Sequence, residues 1–153
     1  MIVPSALQKY SLFGGLFEEQ IKRILPLMEQ EEYRKGEDII VEGAPNDKIR
    51  FIISGRVAVL VNGMTIYEIG EGETFGEMEV LDVMASAATI RTLEPTSVIS
   101  ISNRGLRSVY KEDIHSFSLI IMNLARNLSR RLRHMDDKIT EELKTVMQDE
   151  PPA

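Results

Sequence analysis

Between Glu31 and Ser102 the chain is cut into short apolar runs by regularly placed glycines, and no other feature restricts its fold as much. Residues 38–41, 50–53, 56–61 and 64–69 are rich in Ile and Val, and Gly36, Gly43, Gly55, Gly63 and Gly70 punctuate them. Short β-branched runs bounded by turn residues read as strands. Asn62-Gly63 joins two of them directly. A two-residue turn that matches strand twist needs positive φ at both positions, which Asn and Gly tolerate, so these strands are predicted to pair antiparallel. Residues 89–92 and 96–101 make six such runs, and the region is expected to hold about eight strands in all, enough for a small closed jelly-roll-like β-roll.

Helical periodicity flanks this region. Phe17, Ile21, Ile24, Leu25 and Met28 recur at spacings of a short leading helix over 18–28. After Asn103 an apolar stripe runs through Phe117, Ile121, Leu124, Leu128, Leu132, Met135, Ile139, Leu143 and Val146, with spacings of three and four. A helix this long on a domain this small cannot bury its whole length against its own roll, so the stripe calls for a partner, and a second copy makes the chain a homodimer. The same pattern also fits one helix folded back on the roll, or two helices broken near Arg133-His134. The expected fold is mainly β with flanking helices: a jelly-roll-like β-roll, a short N-terminal helix and a long C-terminal dimerisation helix. The domain is expected over 1–147, with the roll at about 31–102, the helical part at about 104–147, and a frayed tail at 148–153 where paired prolines stop the helix.

Composition removes several function classes. At 153 residues, 43% hydrophobic and 27% charged, the chain suits one soluble domain. No apolar run approaches the ~20 residues of a membrane span, and Met1-Ile-Val-Pro4 has no secretory pattern, so a cytoplasmic protein without a membrane partner is expected. A net charge of −6 repels a phosphate backbone, and little chain follows Val146 to hold a helix-turn-helix, so direct DNA binding is not expected. An enzyme is not expected. There is no cysteine, no Gly-x-Ser-x-Gly turn and no Gly-Lys-Ser/Thr loop, and His115 and His134, the two histidines, both fall in the helical part rather than in the barrel, where a metal would be held.

The chemistry concentrates in residues 70–89, where a Gly-Glu turn leads into a short apolar helix and a small-residue return. Gly76 lets the backbone approach a ligand closely, and amides at the start of the turn from Met78 to Leu81 favour an anionic oxygen. Glu77 accepts hydrogen bonds; the alternative is a carboxylate that caps its own turn over an empty site.

Over roughly residues 8–145 this order of elements resembles the cyclic nucleotide-binding domain family of catabolite-activator-like regulators, cyclic-nucleotide-dependent kinases and ion channels. The resemblance rests on Gly36-Glu37-Asp38-Ile39-Ile40-Val41-Glu42-Gly43, on the strand, Gly55 turn and returning strand over 47–59, and on a cassette comprising Phe75-Gly76-Glu77-Met78 and Ala88-Thr89-Ile90. It implies a ligand of the cyclic AMP, cyclic GMP or related nucleotide type and no other cofactor. The implied ligand residues are Gly76, Glu77, Met78, Ser86, Ala87, Thr89 and Arg131, with Glu77 on the ribose 2′-hydroxyl. Ser86 stands where the family places an arginine on the phosphate. A hydroxyl offers one neutral hydrogen bond, so the loss should cost about 2 to 4 kcal/mol, or two to three decades in affinity.

Arg91 shares a strand face with Thr89, but the resemblance gives it a separate structural role. Arg126, Arg130 and Arg133 lie at helical spacing with Arg131 beside them, on the helix that covers the base in the family. Arg131 or Met135 would lie near the ligand; otherwise the stripe is a solvated face paired with Asp136, Asp137 and Glu141. Two functions follow. One is a cytoplasmic regulatory module resembling a cyclic nucleotide receptor, signalling through its dimer helix to an unidentified protein partner. The other is a degenerate relative that binds no ordinary cyclic nucleotide and acts as a dimeric protein-interaction scaffold.

Overall fold

Side chains on β3 (Lys48–Ser54) alternate between two cores, and that alternation organises the molecule. In the computed structural model, which describes residues 2–149 and 151, Ile49 and Phe51 face a cluster built largely from helices, whereas Ile52 belongs to a second cluster with Val57, Val59, Ile69, Phe75 and Val98. The second cluster fills the space between two antiparallel four-stranded sheets. One sheet has the order β1 (Glu29–Tyr33), β8 (Thr96–Ser102), β3, β6 (Thr74–Phe75). The other runs β2 (Asp38–Ile40), β7 (Thr89–Thr92), β4 (Val57–Val61), β5 (Met64–Ile69). The eight strands and flanking helices form the expected jelly roll. Asn62 and Gly63 take φ of 52° and 79°, and Val61 pairs with Met64 across them, as the hairpin reading requires.

The N-terminal segment adds α1 (Pro4–Leu7) and a single 3-10 turn at Ser11–Phe13, neither foreseen, before α2 (Glu18–Ile24). The leading helix is shorter than the predicted 18–28, because Pro26 removes a backbone donor and the chain tightens into a 3-10 turn at Leu25–Leu27. Phe13 and Tyr10 pack edge-on against Phe51, with ring centroids 5.5 and 4.9 Å away, which ties this segment to the roll.

Two helices end the fold: α4 (Asn103–Glu112) and α5 (Ile114–Asp149). The break falls at Asp113, not near Arg133-His134. Asp113 accepts from the Ser116 hydroxyl at 2.6 Å and from the backbone N–H of His115 and Ser116, so it caps α5. The start of α5 is docked by Ile120 and Leu124 in the helical core and by buried Asn123, whose amide donates to the carbonyls of Leu12 and Gly14. Every residue from Leu132 to Asp149 is exposed. That exposed stretch is about 27 Å long at 1.5 Å per residue. The predicted tail at 148–153 starts too early. Gln148 and Asp149 are still helical. Residues 150, 152 and 153 lie outside the described residues. Among the described residues no helix is long and apolar enough to cross a membrane.

Candidate functional site

Pairing of β6 with β3, Phe75 opposite Arg50, delivers Gly76 to the start of α3 (Glu77–Asp82). Gly76 has φ of 82°, and a Cβ there would lie 2.6 Å from the Lys48 carbonyl and 2.8 Å from the Asn46 amide, so both conformation and space demand glycine. Asn46 Nδ2 donates to the Gly76 carbonyl at 3.1 Å and to that of Lys48 at 2.9 Å. Its Oδ1 accepts from Arg50 Nη1 at 3.0 Å, and Arg50 Nε donates to Glu31 Oε1 at 2.8 Å. A chain of hydrogen bonds thus runs from β1 to the cassette's first turn.

Glu31 is the anchor of that chain. Burial pushes its carboxyl up, but hydrogen bonds from Tyr33 and Arg50, the Arg50 charge and the Ser100 hydroxyl outweigh this and hold it at about 2, against an ordinary 4.5. Because the folded value is depressed, the stability it contributes is present above about 4.5 and is lost as pH falls towards about 2. Glu31→Gln should therefore lower stability by about 3 kcal/mol at pH 7 and by much less at pH 2.5. Urea unfolding at the two pH values checks this; an equal loss at both would contradict it.

The cassette itself holds a buried carboxylate. Glu77 is 1% exposed, and Oε1 accepts from Arg131 Nη1 at 2.5 Å, while Arg131 Nη2 donates to the Thr74 carbonyl. Burial raises the Glu77 carboxyl above its ordinary value, and the Arg131 charge only partly offsets this. Ser86 is 3% exposed, and its backbone bonds to Gly43 and Ala44, with its N–H on the Ala44 carbonyl and its carbonyl on the Gly43 N–H. Thr89 Oγ1 accepts from the Glu42 N–H at 3.0 Å. The return from α3 turns at Val83, a β-branched residue at φ 57°.

Three buried side-chain atoms lack a hydrogen-bond partner among the described residues: Thr74 Oγ1, Glu77 Oε2 and Ser86 Oγ. All belong to this one segment. Buried polar atoms are nearly always paired, and each orphan costs about 1–3 kcal/mol.

Two open clefts meet at Arg131. One, of about 320 Å³, lies between the loop at Gly72–Thr74 and the helix at Asn127 and Arg130; the other, of about 500 Å³, lies between Tyr67 on β5 and Met135 and Ile139 on α5. Both fall in the size range of small-molecule sites. Glu77 and Ser86 line neither cleft, so Arg131 stands between open space and the buried cassette.

Among the expected site residues, Gly76, Glu77 and Arg131 come together, Ser86 and Thr89 lie on the return segment, and the side chains of Met78 and Ala87 are exposed. The arginine stripe divides: Arg131 reaches Glu77, whereas Arg126 and Arg130 bond to Asn123 and Asn127 one turn back. Among the described residues no ion pair joins it to Asp136, Asp137 or Glu141. Arg91 pairs with Asp38 across β2 and β7, the structural role expected of it. Sequence reasoning missed Thr74 and Asn46; a Thr just before Phe75-Gly76 is the one signal that could have pointed to the former. Among the described residues no group of three or more His, Cys, Asp or Glu is placed to hold a metal ion.

The family model described as "Cyclic nucleotide-binding domain" matches residues 30–113. The chain is 30% identical over 130 residues to the "Cyclic AMP receptor protein" of Thermus thermophilus, which covers 82% of this chain and 58% of that protein. It is 28% identical to the "cAMP-dependent protein kinase regulatory subunit" of Yarrowia lipolytica over 68% of this chain and 28% of that one. It therefore spans less than two thirds of either relative's length. A solved cyclic nucleotide-binding domain from Methylobacillus flagellatus shares the fold, with a TM-score of 0.83 at 24% identity over 92% of this chain and 82% of that one. The Thermus thermophilus catabolite activator protein structure gives a TM-score of 0.72 at 27% identity over 85% and 62%.

Proposed function

The chain belongs to the cyclic nucleotide-binding domain family, and from that premise we propose that it is a regulatory module that binds a ribonucleotide in its cassette and signals through α5. The observation that carries this reading is the set of orphaned buried atoms, Thr74 Oγ1, Glu77 Oε2 and Ser86 Oγ, confined to the segment where the family's ligand would lie. A segment kept only for folding gains nothing from three unpaired buried polar atoms. The names of the relatives, a cyclic AMP receptor and a cAMP-dependent kinase regulatory subunit, support cyclic AMP, and with it the cyclic nucleotides, as the ligand class and a regulatory rather than catalytic role. Signalling uses the projecting half of α5, paired with that of a second copy, to reach a protein partner. The second reading, a dimeric scaffold that binds no nucleotide, is favoured by Ser86 at the place of the family's arginine.

Glu77→Ala separates the two. On the receptor reading the change removes the acceptor for a ribose 2′-hydroxyl and should weaken cyclic AMP binding by about 1.5–3 kcal/mol. The thermal shift that cyclic AMP gives the native protein would then be largely absent from the variant. A nucleotide that raises the melting temperature of both proteins equally does not use the cassette, and that result would end the receptor reading.

A further inference from the structure

We propose that Arg131 is the residue that binds the ligand's anionic group, so that the counter-charge missing at Ser86 is supplied by the signalling helix and the site selects molecules carrying both an anion and a free hydroxyl. The inference rests on the reading of the cassette as a ligand site.

The argument is one of exchange. Glu77 is buried and Arg131 is its charged partner, at 2.5 Å, with a second bond from Arg131 to the Thr74 carbonyl. The guanidinium stands between the two open clefts and the cassette, so a ligand that reaches Glu77 must take its place. Separating a buried ion pair without replacing both partners leaves an uncompensated charge, one of the most costly local changes a fold can undergo. A neutral molecule with hydroxyls satisfies Glu77 but gives Arg131 nothing. A simple anion satisfies Arg131 and strands Glu77. A hydroxylated anion, as in a sugar phosphate or a cyclic ribonucleotide, satisfies both, and it also offers groups to Ser86 Oγ and Thr74 Oγ1.

Three cations of the roll are committed elsewhere, and Arg130, which lines the smaller cleft, bonds among the described residues only to Arg126 and Asn127 on its own helix. Lys48 is held by Glu29 and Glu31, Arg50 by Glu31 and Asn46, and Arg91 by Asp38. Arg131 differs from them in its position. It precedes Leu132 and lies one turn before Met135, both on the exposed apolar stripe, so a ligand that moves its guanidinium acts directly on the element that carries the signal. An arginine in the cassette loop would have no such lever.

The test is calorimetric titration of the native chain, Arg131→Gln and Ser86→Arg with cyclic AMP and with adenosine, which lacks the anion. The native chain should prefer cyclic AMP by about 10- to 100-fold, the value of a charge-assisted contact. In Arg131→Gln the preference should fall to near unity; because it is a ratio within one protein, a general loss of stability does not imitate it. A native-sized preference in Arg131→Gln overturns the proposal and leaves the receptor reading standing. Binding of cyclic AMP by Ser86→Arg but not by the native chain also overturns it. Binding by neither removes the receptor reading itself. Should Arg131→Gln not fold, ¹⁵N resonances of the Arg131 side chain in the native protein are read instead: they should move with cyclic AMP and not with adenosine, and an equal response to both refutes the assignment.

Discussion

Ser86→Arg is expected to bind cyclic AMP about 10- to 100-fold more tightly than the native chain. Ser86 is buried, and its N–H and carbonyl are already fixed on Ala44 and Gly43, so the return segment keeps its path when the side chain changes. The introduced guanidinium adds a bidentate, charge-assisted contact where the native residue offers one hydroxyl, and such bonds contribute about 1.5–3 kcal/mol. Without ligand the same group is a buried cation with no partner, so the variant should melt below the native protein and recover most when cyclic AMP is added. Equal affinity of the two proteins would mean that the phosphate does not approach position 86.

A second large effect is expected in assembly. Leu132 and Ile139 are 62% and 54% exposed, and Met135, Leu143 and Val146 continue the same stripe along a helix whose residues beyond Arg131 are all exposed among those described. Pairing two such stripes buries Leu132 and Ile139 from each copy, at about 1.5–3 kcal/mol per side chain. The double change Leu132→Glu with Ile139→Glu should therefore cost at least about 6 kcal/mol of association, roughly four decades in the dissociation constant. Sedimentation at tens of micromolar should show native dimers and variant monomers with the helical content of the native chain. Since neither side chain is part of the monomer's core, loss of the fold is not an expected outcome. A native protein that sediments as a monomer would remove the dimer from the account.

The roll was legible because its information is local. Glycines between β-branched runs and the Asn62-Gly63 turn carry their backbone requirements in their own side chains, and both are where the sequence placed them. Strand β1 was not, since Glu29-Gln-Glu-Glu-Tyr33 has no apolar alternation; it is a strand because it pairs with β8 and because Glu31 binds Arg50 and Ser100, partners distant in sequence. The two-residue β6 is too short to show any period. The break at Asp113 was hidden by apolar residues on both sides of it, though Asp113 three places before Ser116 is a capping pattern in hindsight. In the site, Gly76 and Glu77 were readable from their order in the chain. Arg131 was named only through the resemblance, and its bond to Glu77 was not readable, because that depends on how α5 is rotated against the roll, where Asn123 is bonded to Leu12 and Gly14.

The central claim is that the cassette still takes a cyclic nucleotide despite Ser86. Calorimetric titration of the native chain with cyclic AMP and cyclic GMP tests it most directly. The account requires saturable binding of at least one of them, with a micromolar dissociation constant, because the buried pair of Glu77 and Arg131 must open first. No heat of binding up to millimolar nucleotide would contradict it and leave the scaffold reading in its place.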